Sequence, residues 1–217
     1  MRIAVVYRGL YIRGNKNYSF LESYENHLTR LLNFLPDCDL FFSTTPSHYF
    51  SKDQELLDLL KWKKTHFTNS NTCVLDSILS SLNFHNFSEY DFVFNLRFDL
   101  KFNKPIDLFS INYDKFNFLW LEPYNFNQNG NTRVSDLFYG FPTKYLENFK
   151  NINLQDENVR YSDNSLIGRP DQAHHLLQFL KLNLNDEVNF MIPGEHMSGG
   201  QKKDDVAESF IELDRGQ

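Results

Sequence analysis

The sequence predicts an α/β fold, a mixed central sheet flanked by helices, on three observations. Ile3 to Tyr7 is a compact, β-branched run that reads as a strand buried on both faces, the pattern of a parallel sheet. A strand, a helix and a second strand succeed one another before Thr44, a βαβ unit whose crossover is right-handed. Farther on, Phe92, Phe94, Leu96, Phe98 and Leu100 alternate with Val93, Asn95, Arg97, Asp99 and Lys101 between Tyr90 and Phe102. That period of two defines one strand, apolar on both faces at its start and polar on one face toward its end.

Each element follows from local chemistry. After the first strand, Arg8 to Lys16 is a polar loop with glycines at 9 and 14. Ser19, with Glu22 three residues on, has the form of a capping box. Leu28, Leu31, Leu32 and Leu35 keep helical spacing, so the first helix is expected from Ser19 to Phe34. Pro36-Asp37 ends it, and Asp39 to Thr44 is the second strand. Asp53 to Lys61 and Thr72 to Phe84 read as helices, the latter with Val74, Ile78, Leu79 and Leu82 on one face. Phe116 to Leu121 is a further apolar strand, and Asn125 to Arg133 is an Asn- and Gly-rich loop. Asp136 to Phe141 reads as a strand or turn and Thr143 to Lys150 as a short helix. Arg169-Pro170-Asp171 opens another helix, with proline at its first position and an acid in its first turn. Val188 to Ile192 is the last strand, stopped by Pro193-Gly194. The expected organisation is one domain over residues 1–200 and a charged tail or short helix over 201–217.

Composition narrows the function classes. With 22 Phe, 11 Tyr and 2 Trp the chain is too aromatic to be disordered. A net charge of -6 excludes a general nucleic-acid binder, which needs a basic surface, but allows a local basic pocket for one phosphate-bearing ligand. Cys38 and Cys73 form no CxxC pair and give no disulfide or zinc framework, which fits a reducing compartment. No apolar run approaches the ~18 residues of a membrane span, and the opening residues turn polar too soon for a signal peptide. A soluble, cytoplasmic protein without a transmembrane segment is expected.

Ligands of open α/β sheets bind beyond the carboxyl ends of the parallel strands. Two places qualify. One is the loop after the first strand, with Tyr7, Arg8, Gly9, Tyr11 and Arg13. The glycine admits close backbone approach, the arginines suit phosphate oxygens, and the tyrosines suit stacking on a nucleobase. The loop is neither a GxGxxG nor a Walker A motif. The other is Arg97-Phe98-Asp99. Either Arg97 and Asp99 pair to cap the sheet, or Asp99 offers a carboxylate to a hard divalent cation that bridges diphosphate oxygens.

In order and spacing these segments resemble glycosyltransferases of the GT-A fold, of the capsular or surface-polysaccharide type found in bacteria and large viruses. The resemblance rests on Tyr7-Arg8-Gly9 to Arg13 after the opening strand and on Asp39 to Thr44 as the second strand. It rests most specifically on Tyr90-Asp91 with Arg97-Phe98-Asp99-Leu100. Val134-Ser135-Asp136 with Phe138 and Gly140, and Pro170-Asp171 before a Leu-rich helix, complete it.

This resemblance implies a GT-A-like, Rossmann-like mixed sheet in a hexosyl- or deoxyhexosyltransferase. It implies a nucleoside diphosphate sugar donor, UDP by default, and a glycan or glycoprotein acceptor. It also implies Mn²⁺ or Mg²⁺ held by a D-x-D motif. The chain departs from that motif, because Arg97 stands where the first Asp would be. Asp99 alone carries over as a metal ligand, with His196 as the second candidate because imidazole suits Mn²⁺. Arg97 at that position also leaves room for binding without a metal. The metal and Arg8 or Arg13 would stabilise the departing diphosphate in a transfer through an oxocarbenium-like transition state. An inverting reaction needs a carboxylate base near the acceptor hydroxyl, for which Asp136, Asp171 and Asp163 are the candidates. Two alternatives use the same residues. A catalytically silent nucleotide-binding or assembly module is supported by the degenerate Arg97-x-Asp99. A sugar nucleotidyltransferase is weakened by the scarcity of glycine between Arg8 and Lys16.

Overall fold

The computed structural model describes residues 1–13, 18–35, 37–47, 50–68, 74–122, 133–150, 159–160, 166–168, 184–196 and 205–213. In chain order the principal elements are β1 (Ile3–Arg8), α1 (Phe20–Arg30), β2 (Cys38–Thr44), α2 (Phe50–Leu59) and β3 (Trp62–Phe67). Then come α3 (Val74–Asn83), β4 (Phe92–Arg97), β5 (Leu100–Phe102), β6 (Phe116–Phe118) and β7 (Phe138–Pro142). The last are α4 (Leu146–Lys150), β8 (Val188–Phe190), α5 (Asp205–Phe210) and β9 (Ile211–Leu213).

Seven strands make one sheet in the order β8-β6-β7-β4-β1-β2-β3. β1 pairs in parallel with β2 and with β4, β3 in parallel with β2, and β8 in parallel with β6. β7 runs antiparallel to both β4 and β6. This is the expected mixed sheet flanked by helices. From β1 the chain adds strands on one side, then returns to place β4 on the other. The strand order therefore reverses between β1 and β4, which opens a crevice at their carboxyl ends.

Strand alternation sorts the core into two layers. Val5, Tyr7, Phe42, Phe94 and Leu96 pack with Phe20, Leu21 and Leu31 of the first helical segment and Leu56 of α2. Ala4, Val6, Phe41, Val93 and Tyr139 pack with Ile78 and Leu82 of α3 and Leu146 of α4. Ser19 caps α1 by accepting a hydrogen bond from the Leu21 N–H at 3.2 Å. The helix stops at Arg30, short of the expected Phe34, and the chain tightens into a 3₁₀ turn over Leu32–Phe34.

The stretch from Tyr90 to Phe102 is two strands rather than one. β4 ends at Arg97, Phe98 turns into the core against Tyr7 and Phe20, and its N–H donates to the Arg8 carbonyl at 3.2 Å. β5 then leaves the main sheet and pairs antiparallel with β9. Ala207 and Ile211 of the segment expected as a tail or short helix are buried. β3 has no counterpart among the expected elements. Its Lys63 and Lys64 are exposed and mask the strand pattern, a usual way to protect the edge of a sheet. The helix expected after Pro170 lies outside the described residues. Among the described residues no helix is long and apolar enough to cross a membrane.

Candidate functional site

The carboxyl ends of β1, β2, β4 and β6 meet the start of β7 at one edge of the sheet. Arg8, the last residue of β1, pairs in register with Arg97, the last residue of β4. Gly9 follows with φ +87°, a left-handed conformation that glycine adopts without strain. A Cβ placed there meets nothing within 4 Å, so the backbone is open to close approach. The Gly9 carbonyl is fixed by the Thr44 hydroxyl, which donates to it at 2.6 Å.

Arg8 is 1% exposed. Its Nε donates to Asn95 Oδ1 at 2.7 Å and its Nη2 to the Asp136 carbonyl, while its guanidinium carbon stands 5.7 Å over the Tyr139 ring. Asn95 is aimed in turn by its own amide, which donates to Ser81 Oγ on α3 at 2.8 Å. Burying a cation is expensive unless polar groups replace water. Here an amide oxygen, a peptide carbonyl and an aromatic face do so. Burial raises the pKa of the Tyr139 hydroxyl, an effect that the Arg8 charge and hydrogen bond oppose, so the phenol stays neutral.

Arg97 lies between two acids. Its Nε donates to Asp99 Oδ1 at 2.8 Å and its Nη2 to Asp99 Oδ2 at 2.6 Å, a fork-on-carboxylate pair. Its Nη1 is 3.9 Å from Asp136 Oδ2. The side chain of Arg97 is 14% exposed, against 2% for Asp99 and 7% for Asp136. The guanidinium is therefore the member of this trio that faces outward, with the carboxylates behind it. Arg8, Arg97, Asp99 and Asp136 together balance two positive charges against two negative ones.

The other expected site residues divide. Tyr7 is buried in the core, stacked on Phe98, with its hydroxyl 3.2 Å from His27 Nδ1. Tyr11 is buried too and donates its hydroxyl to Asp53 Oδ1. Burial and the Asp53 carboxylate raise its pKa. Neither ring presents a face to a nucleobase in this structure, because aromatic packing at the strand end has taken both. Arg13 pairs with Tyr18 in a two-residue ladder, and its side chain lies outside the described set. Asp163 and Asp171 also lie outside the described residues.

His196 is buried against Trp120, ring centroids 6.1 Å apart. Its Nε2 is 2.9 Å from the Pro193 carbonyl, which requires that nitrogen to carry the proton and donate. The fit to a divalent ion is poor. Both Asp99 oxygens accept from Arg97, and His196 Nε2 has no lone pair to give. Among the described residues no group of three or more His, Cys, Asp or Glu side chains forms a metal-binding cluster.

Sequence reasoning missed Asn95 and Ser81 as supports of Arg8. Asn95 did carry a signal, a carboxamide on the face of a strand whose neighbours are apolar. Trp120 was also missed; its carbonyl accepts from the Ser135 N–H at 3.2 Å and ties the end of β6 to the Asp136 segment.

No family profile matches the sequence. No curated protein matches it. Among solved structures, the apo form of the glycosyltransferase GlyE of Streptococcus pneumoniae is similar, with 17% identity and a TM-score of 0.46. That match covers 86% of this chain and 43% of GlyE, so the chain spans less than half of GlyE's length. A Drosophila beta-1,4-galactosyltransferase 7 mutant, solved in complex with manganese, UDP-Gal and xylobiose, is similar with 10% identity and a TM-score of 0.47. That match covers 98% of this chain and 70% of the Drosophila chain.

Proposed function

We propose that the chain is a GT-A-like glycosyltransferase that moves a sugar from a nucleoside diphosphate donor to a hydroxyl of a glycan acceptor. One observation carries the reading. Arg8, Arg97, Asp99 and Asp136 converge, charge-balanced and largely dry, at the reversal point of a mostly parallel sheet. That is where this architecture binds nucleotides. A low-dielectric site with fixed cations stabilises charge that develops on a leaving diphosphate.

In this reading the diphosphate rests against Arg97 and the open backbone at Gly9. The bond from the anomeric carbon to the diphosphate oxygen breaks, and its electron pair leaves with the diphosphate. The acceptor oxygen bonds to the same carbon, and its proton passes to the Asp136 carboxylate. Asp99 positions Arg97 through the two-point clasp. UDP is the first nucleotide to test.

Thermal melting with UDP, GDP, CMP and dTDP finds the nucleotide, since a ligand of the folded state raises Tm by mass action. The matching sugar donor is then assayed for nucleotide release. Release by the native chain, lost in Asp136→Asn with nucleotide binding retained, is the expected result. No Tm shift with any nucleotide would sink the reading. The capture of Asp99 by Arg97 also favours the silent nucleotide-binding module, and binding without release would select it.

A further inference from the structure

The charge arithmetic of the site leads beyond the transfer reaction, and the step that follows rests on the nucleotide-sugar reading above. Two carboxylates facing a diphosphate create a demand for about two positive charges, which a divalent ion usually meets. Here Arg8 and Arg97 already meet it. Arg97 holds both oxygens of Asp99 at 2.8 and 2.6 Å and lies 3.9 Å from an oxygen of Asp136. Arg8 holds the Asp136 carbonyl from the other side. A divalent ion at Asp99 would have to displace a two-point guanidinium clasp and then sit beside the cation it displaced. The exposure gradient runs the same way, because an incoming anion meets Arg97 before either acid.

We infer that Arg97, backed by Arg8, is the resident cation of this site, and that the diphosphate part of the donor binds to its guanidinium without a divalent metal. Arg97 is planar and presents several donors in a fixed fork, so it can hold Asp99 along one edge and phosphate oxygens along another. The fork keeps its charge at any pH at which the protein is folded. Asp99 is then a positioning residue that sets the plane of the guanidinium.

Two measurements on the whole protein test this. Mn²⁺ is titrated into the native chain without nucleotide and followed by electron paramagnetic resonance of the free ion. The free signal is expected to be unaffected by the protein, and stoichiometric uptake would overturn the inference. Arg97→Met leaves Asp99 and Asp136 without their shared cation and is expected to gain Mn²⁺ uptake. A folded Arg97→Met that takes up none overturns the equivalence of guanidinium and metal.

UDP is then titrated calorimetrically in EDTA and in Mn²⁺. Equal affinity in both is expected. Binding that needs Mn²⁺ overturns the inference and leaves the glycosyltransferase reading standing. Absence of binding in both buffers overturns the reading and the inference together. Arg97→Lys guards against a folding defect in the methionine variant, because it keeps the charge and loses the fork. Its UDP affinity in EDTA is expected to fall about tenfold. Unchanged affinity would remove Arg97 from the ligand.

Discussion

Arg8 and Arg97 stand side by side in register at the ends of two adjacent parallel strands, yet they are held by different partners. Arg8 is buried against Asn95, the Asp136 carbonyl and the Tyr139 ring, whereas Arg97 looks outward with its carboxylates behind it. Like charges one strand apart are tolerable because each guanidinium contacts Asp136, one at its backbone and one at its side chain.

Arg8 should therefore matter to stability as well as to turnover. Arg8→Met removes the donor to two buried acceptors and one of the two cations that balance the acids. A loss of about 3 kcal/mol is expected, read as a lower urea midpoint at unchanged m-value. Arg8→Lys keeps the charge but cannot reach Asn95 and the Asp136 carbonyl as a fork, and its midpoint should fall between the two.

Asp136 should separate binding from chemistry. Asp136→Asn keeps the volume and removes the base, so kcat is expected to drop by roughly 10²–10⁴ with KM for the donor little changed. A rise in KM at constant kcat would assign Asp136 to donor binding instead.

Much of this edge was legible in the sequence. Arg97 and Asp99 stood out because a buried, alternating strand tolerates charge only where something uses it. Arg8 and Gly9 stood out because they end a β-branched run. The environment of Arg8 was not legible. Its partner Asn95 is 87 residues away, and only the register of β1 on β4 brings the two together. The turn at Phe98 was hidden because Phe98 and Leu100 continue the apolar alternation across it. β3 was hidden for the opposite reason, since edge lysines erase the alternation that a buried strand displays.

Gly140 in β7 is a packing requirement. A Cβ there would lie 2.6 Å from Phe94 Cδ1 and 2.7 Å from Phe92 Cε1, inside contact distance of two buried rings. Gly140→Ala is expected to cost about 2 kcal/mol through overpacking. In a chain of this size that lowers Tm by roughly 4–8 °C in a calorimetric scan.

His27 should set an acid-side slope in stability. It is fully buried, with Nδ1 on the Tyr7 hydroxyl and Nε2 2.7 Å from the Leu100 carbonyl, and burial lowers its pKa from 6.5 to about 4. Between those values the unfolded chain binds the proton and the folded chain does not, so the contribution is full above pH 6.5 and is lost as pH falls toward 4. It amounts to roughly 3 kcal/mol by the usual conversion of a pKa shift. Urea midpoints at pH 7, 6, 5 and 4 should show the loss, and His27→Phe should flatten it while lowering stability at pH 7 by leaving the Leu100 carbonyl unpaired.

The pairing of β5 with β9 has a bearing on how the chain is made. Leu100–Phe102 begins directly after Asp99, and the ion pair that fastens its outer edge, Lys101 to Glu212, joins residues 111 apart. A ribosome-bound chain synthesised as far as residue 200 holds all four charged residues of the site but not the strand that covers β5. Its open backbone edge would be available to any extended segment, its own or another molecule's. Release of residues 205–213 from the exit tunnel is thus the event that shields the edge beside Asp99. Long-range closure of this kind is slow relative to local helix formation. The interval before it is when the half-made protein is most exposed to strand-on-strand association and most useful as a chaperone client.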